Sequence, residues 1–391
     1  MLIPEVKNGS PASPAGPTFL RDGFRPFYLV GALFAALAVP LWLAAWHFGM
    51  AFTSLTPLLW HMHEMVFGFA VAIIIGFLFT AGRHWTGLPF PAGTPLALLV
   101  GLWLAGRVGM LFAYGPAAAI LDLLPLPIVA IILARRFYRA RSFANLPLVL
   151  VLMALTTANA AFHAAMHDLV PLAPASALVF AVCLVVLIEM TIGGRIIPGF
   201  TAGAFPAARV FRSVRTHLAV LALTAYAFLA HALAPASPWS GAAALLAGVA
   251  ALALALAWNP LATRGRPILW ILHAAYAWIP VGLILLGLSS FGLVPRSAAL
   301  HAFAAGSMGG LIMGMMTRSA LAHSGRPVRA GRPEVVMYAL VILAGILRVA
   351  AALVPEFGRT PILAAGAAWS AAFLLFVIVY APRVVFATPR G

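Results

Sequence analysis

The segment Trp60-His61-Met62-His63-Glu64-Met65 opens a long apolar run. Histidine and carboxylate at the mouth of such a run are costly in hydrocarbon and commonly functional. Imidazole is a good ligand for haem iron and for copper. Further histidines stand at His163, His167, His273, His301 and His323. The 391 residues include 24 Lys+Arg and 8 Asp+Glu, yet 11 His. A chain that sheds charge but keeps imidazole points to bound metal or haem.

Spacing sharpens these candidates. Residues two apart on an α-helix differ by about 200°, so His61 and His63 point to different faces and suit two adjacent centres. Glu64, three residues after His61, is expected on its face as an orienting group, proton carrier or ligand. His163 and His167 are four apart and share a face, which suits one metal ion or a haem-plus-metal pair. His301 begins a run with Gly306, Gly310 and Gly314 at every fourth position, a stripe that admits another helix or a flat macrocycle. Met308, Met313, Met315 and Met316 follow; methionine sulfur binds haem iron or Cu(I), and it also simply packs.

Glu189 lies inside an apolar run, at a cost of roughly 2.5–3.5 kcal/mol on insertion scales, so it is expected to be paired or functional. Arg107 and Arg348 are also intramembrane. One of them is a candidate partner for Glu189; alternatively, such arginines hold haem propionates. The candidate catalytic residues are therefore Glu64 and Glu189. The candidate cofactor-binding residues are His61, His63, His163, His273, His301 and Arg195, and the candidate metal ligands are His61, His63, His167, His301 and His323.

Composition sets the frame that must position them. Mean hydropathy is +1.05 and only 8% of residues are charged, against about a quarter in soluble proteins, which indicates an all-α polytopic membrane bundle. Runs of about 20 apolar residues predict twelve spans, near 27–46, 60–82, 95–113, 116–135, 146–166, 174–194, 217–234, 240–258, 268–289, 298–317, 335–353 and 361–380. Residues 1–26 read as a soluble tail, 27–382 as the membrane domain and 383–391 as a second tail. Alternate loops collect the arginines, including Arg135, Arg136, Arg139 and Arg141, while the opposite set holds only Arg296 and Arg359. By the positive-inside rule both termini are expected in the cytoplasm. The net charge of +16 lies in these short loops and argues for topology, not nucleic acid. The single Cys183 excludes an internal disulfide, and the absence of a c-type attachment motif means that any haem is non-covalent.

This topology puts His47, His61, His63, His163, His167, His231 and His301 near the outer face, where they are able to converge on one site. His84, His217 and His323 fall near the inner face, with His273 somewhat inside its span. The spans beginning at His61 and His301 share an outer His, internal glycines, and an Arg and a His near the inner end.

The chain resembles the NnrS family of haem- and copper-containing membrane proteins over nearly all its length. The resemblance rests on Phe24-Arg25-Pro26-Phe27; Trp60 to Met65 with Phe67-Gly68-Phe69; Gly193-Gly194-Arg195 with Pro198 and Phe200-Thr201; Leu272-His273 with Tyr276 and Trp278; and His301-Ala302 through Gly306, Met308-Gly309, Met313, Thr317-Arg318 and His323 to Gly325-Arg326. Ser324 and Ala275 stand where the family often has Thr and Gly. The resemblance implies a bacterial inner-membrane protein that relieves nitrosative stress and carries haem b and copper. It is compatible with reduction of nitric oxide by electrons from quinol or another donor, and with a sensor or binding protein that does not turn over. A transporter of copper or a small anion is the third reading.

Overall fold

The computed structural model describes residues 18–50 and 53–386. The tail expectations for residues 1–17 and 387–391 lie outside the described residues. Among the described residues there is no strand, and twelve helices are long and apolar enough to cross a membrane. They are α1 (Phe24–Phe48), α2 (Pro57–Thr86), α3 (Thr94–Phe112), α4 (Pro116–Arg139), α5 (Phe143–Met166), α6 (Pro174–Ala204), α7 (Val214–Leu233), α8 (Pro238–Ala257), α9 (Pro267–Ser290), α10 (Arg296–His323), α11 (Arg332–Leu353) and α12 (Thr360–Val385). The twelve expected spans are all present. Several extend past their expected ends because helices continue through the interfacial residues that an apolar window omits.

Local signals set the boundaries. Pro57, Pro116, Pro174, Pro238 and Pro267 each occupy the first position of a helix, where a missing N–H costs nothing. The Thr56 side chain caps α2 by accepting from the Leu59 N–H. Gly87 ends α2 at φ 68°, the left-handed conformation glycine adopts freely. Pro280 cannot donate to the Tyr276 carbonyl four residues back, and α9 breaks at Ala277.

Two helices depart from α geometry without proline. In α2 the segment Glu64–Ala70 is a π-helix, and in α10 the segment Ala302–Met308 is another. Each begins directly after a histidine, His63 or His301, and such widened turns cluster at functional sites. These two helices are also the most enclosed: 83% of the apolar window of α2 and 72% of that of α10 is buried, against 28% for α7. The sequence likeness of the two spans therefore corresponds to two central helices with the same irregularity at the same relative place.

The glycine stripe of α10 is occupied by a neighbouring helix. Added Cβ atoms would meet Trp278 at Gly306, Ala275 at Gly310, and Leu272 and Ile271 at Gly314, all on α9. The other side of Gly306 faces Gly345 of α11, where a Cβ would stand 3.1 Å from the Gly306 Cα. Leu98, Leu150, Leu246 and Ile378 point outward, as lipid-facing positions require.

Because backbone cannot yield as a side-chain tip does, Gly345→Ala is expected to cost about 1–3 kcal/mol. Thermal unfolding in mild detergent should show a lowered midpoint for it and no lowering for Gly101→Ala, whose Cβ would meet nothing within 4 Å.

Candidate functional site

The outer histidines do not converge on one site. His61 and His63 point to different sides of α2 and join two separate clusters.

The first cluster is buried between α2, α3, α4 and α5. His63 Nδ1 lies 2.9 Å from Glu64 Oε1. Its Nε2 lies 3.0 Å from Asn159 Oδ1 and 3.2 Å from Asp122 Oδ2. His163 Nε2 lies 2.9 Å from the same Asp122 oxygen, and its Nδ1 is 3.4 Å from the Tyr114 hydroxyl. Asn159 Nδ2 donates to Asp122 Oδ2 at 2.7 Å. Arg107 ties the acids together, donating to Glu64 Oε1 at 2.6 Å and to Asp122 Oδ1. His63, Glu64 and Asn159 have zero exposure, and Asp122, His163 and Arg107 are all below one-tenth exposed. Two carboxylates with one guanidinium leave a net negative interior, and the nearby imidazoles are suited to balance it with protons or a cation.

Glu64 thus serves His63, not His61. Its backbone keeps the α-helical register with His61, and its side chain turns to His63 and Arg107 instead. Arg107 is partnered by Glu64 and Asp122, and Glu189 takes instead a hydrogen bond from the Ser307 hydroxyl at 2.6 Å. His167 is exposed at the end of α5; Tyr114 stacks on it at 5.7 Å and on His163 at 5.9 Å. The two histidines share a helix face and a tyrosine, but only His163 reaches Asp122.

The second cluster joins α1, α2, α10 and α11. The His61 ring stacks on Trp42 at 4.2 Å, and its buried Nδ1 has no hydrogen-bond partner. His61, His301 and the half-buried Arg348 lie within electrostatic reach of one another. His301 Nδ1 donates to the Ser297 carbonyl at 2.7 Å, which leaves Nε2 with the lone pair that a metal takes.

A third pair closes the other end of the same two helices. His84 Nε2 lies 3.1 Å from His323 Nδ1, with the rings stacked 4.6 Å apart. Asp22 stands nearby, held by Arg83 at 2.8 Å and Arg25 at 3.4 Å. The helix between His61 and His84 is about 30–35 Å long at 1.5 Å per residue, so α2 and α10 carry a histidine pair at each end.

The remaining candidates stand apart. His273 Nε2 lies 2.8 Å from the Thr201 hydroxyl. Arg195 is spent on Asn145 Oδ1 at 2.7 Å and the Ala144 carbonyl at 2.9 Å. His231 neighbours Ser290, and His47 accepts from Arg359 at 3.2 Å. Glu189 lines an apolar cavity between α2, α6 and α10 with Ile73, Phe77, Leu311 and Met315, and its Oε1 has no partner. Sequence reasoning missed Asp122, Asn159 and Tyr114, and did not weigh His84 as a ligand. The argument that singled out Glu189, an acid in an apolar run, applies equally to Asp122 in Ile120-Leu121-Asp122-Leu123.

Fold and clusters together define a polytopic membrane protein with imidazoles gathered at both ends of a central helix pair and one buried histidine–carboxylate network beside it. The family model described as NnrS protein matches residues 18–390, nearly the whole chain, and the protein belongs to that family. No curated protein matches the chain in sequence.

Removing Arg107 would strand two buried acids. Arg107→Leu is expected to destabilise by about 3–5 kcal/mol, the penalty for breaking a buried ion network from one side. Arg139→Leu, on the exposed end of α4, should leave the detergent unfolding midpoint unchanged.

Proposed function

We propose that this protein holds haem b and copper in the bacterial inner membrane, both termini cytoplasmic, and binds or reduces nitric oxide to relieve nitrosative stress. The observation that carries the reading is the pairing of histidines between α2 and α10. The donor set fits haem. His61 has an orphaned buried nitrogen, His301 has its Nε2 freed by the Nδ1 bond to Ser297, and Arg348 adds a guanidinium suited to a propionate. His84 and His323 form a second imidazole pair suited to haem. The isolated positions of Arg195 and His273 give them no part in this assignment.

Bound haem would supply an iron that takes nitric oxide and exchanges electrons. The chain's own residues do the rest. Trp42 fixes the plane of His61 by stacking, and Ser297 fixes the tautomer of His301. Reduction of two nitric oxide molecules to nitrous oxide and water consumes two electrons and two protons, which one quinol supplies. Glu189, with one oxygen free and the other held by Ser307, is the proton carrier of this reading. Glu64 acts through His63 as an orienting group, because its bonds go to His63 and Arg107. Nitric oxide is small and membrane-soluble, so the apolar cavity beside Glu189 gives it access without an aqueous cleft.

The test is purified protein from a haem-replete host, with haem and copper counted per chain and reduced spectra recorded with and without nitric oxide. Stoichiometric haem b with a spectrum shifted by nitric oxide is expected, and His301→Ala and His61→Ala should each lose most of it. A protein that stays colourless after haem reconstitution would overturn the reading in favour of a transporter. For turnover, Glu189→Gln should keep its haem and lower anaerobic nitric oxide consumption with reduced quinone by roughly 10²-fold, the scale of a positioned proton donor. Haem-loaded wild type that binds nitric oxide without consuming it would mark a binding or sensor protein.

A further inference from the structure

We infer that His63, His163, Asp122 and Asn159 form a site for one first-row metal ion, copper or zinc, distinct from the histidine pairs shared by α2 and α10. The site supplies the non-haem metal of the reading above. It stands separately from haem, because its residues belong to α2, α4 and α5 and include none of the paired histidines.

Three observations carry it. First, the donors converge. His63 Nε2, His163 Nε2 and an Asp122 oxygen all lie within 4.8 Å of one another. The Asp122 oxygen is 3.2 Å from the first and 2.9 Å from the second, and Asn159 Oδ1 is 3.0 Å from His63 Nε2. Copper or zinc bonds of about 2.0–2.1 Å imply tetrahedral edges of about 3.3 Å. The observed edges fall a few tenths of an ångström short, so loading needs a small opening and displacement of the ring protons. Two imidazoles and two oxygens suit these ions better than magnesium or calcium, which take oxygen shells.

Second, each imidazole is held from behind. Glu64 Oε1 takes the far nitrogen of His63 at 2.9 Å, and the Tyr114 hydroxyl faces the far nitrogen of His163 at 3.4 Å. A carboxylate or hydroxyl on the outer nitrogen is the usual support of a metal-binding histidine, because it fixes the ring and directs the other nitrogen inward.

Third, the charge is prepared. Arg107 occupies Glu64 Oε1 and Asp122 Oδ1, leaving Asp122 Oδ2 turned to both histidines and to the Asn159 amide, whose N–H donates to it. One guanidinium against two acids leaves one negative charge for a cation. The donors are buried and lie away from lipid, so an ion there is retained.

The experiment loads purified full-length protein with Zn²⁺ or with Cu²⁺, removes excess by gel filtration, and counts metal per chain. One retained ion per chain is expected, with X-ray absorption at the metal edge showing imidazole nitrogens and oxygens at about 2.0–2.1 Å. Preference between the two metals follows from competition. His163→Ala and Asp122→Asn should drop to background metal while keeping wild-type elution volume and helical content. Tyr114→Phe, which removes only the support, should weaken metal binding by about 10–100-fold. If wild type retains no ion from either load, or if Tyr114→Phe and both ligand variants hold metal as wild type does, the cluster is a hydrogen-bonded ion network only. Colourless protein that still holds the ion would overturn the haem reading and leave this one standing.

Discussion

The burial of Arg107 constrains how α2, α3, α4 and α5 pack. A guanidinium there must be compensated, and it is compensated twice, by Glu64 of α2 and by Asp122 of α4. Asp122 in turn gathers Asn159 and His163 of α5 and His63 of α2. Four helices are thus fixed relative to one another by one charge and the groups that answer it. An apolar bundle in lipid has little hydrophobic drive to choose one arrangement over another. A polar network that is satisfied in one arrangement supplies that choice.

Both π segments lie beside polar contacts between helices. His61 is turned to Trp42, His301 and Arg348. Glu64 serves His63 and reaches Arg107 with its side chain, so that one helix feeds two clusters with different chemistry. Gly68, inside the π segment, lets Phe34, Arg107 and the Glu64 carboxylate crowd against its backbone; a Cβ there would stand 2.6 Å from the Phe34 ring. In α10 the matching π segment carries Ser307, the hydrogen-bond partner of Glu189. Both irregular segments carry a polar contact to a neighbouring helix.

Much of this was legible in the residues. Membrane-length apolar runs gave twelve spans because the bilayer fixes their length, and the opposite faces of His61 and His63 followed from helical geometry. The partners of Glu64 were not legible, since spacing fixes the helix face of a residue but not which neighbouring helix its side chain reaches. The glycine stripe of α10 was compatible with a helix or a macrocycle, and only packing shows Trp278, Ala275 and Leu272 filling it. The division of the outer histidines into separate clusters depends on which helices are neighbours, which span order alone does not encode. Asp122 was legible and overlooked: the cost of an acid in an apolar run was applied to Glu189 alone.

The clusters around His61 and His63 differ in charge, and that difference bears on what each can hold. Around His61 and His301 stands Arg348, whose burial is offset by no carboxylate among the described residues. Around His63 and His163 stand two carboxylates and one guanidinium. A cation placed at the first cluster meets uncompensated positive charge, whereas an anionic group such as a propionate relieves it. A cation at the second meets a surplus of carboxylate, whereas an anion is repelled. Histidine counting treats the clusters as equivalent, but their neighbours in a low-dielectric medium do not. Since His61 and His63 are less than one helical turn apart, this sorting lets α2 offer imidazole to two unlike ligands and keep each from the other's place.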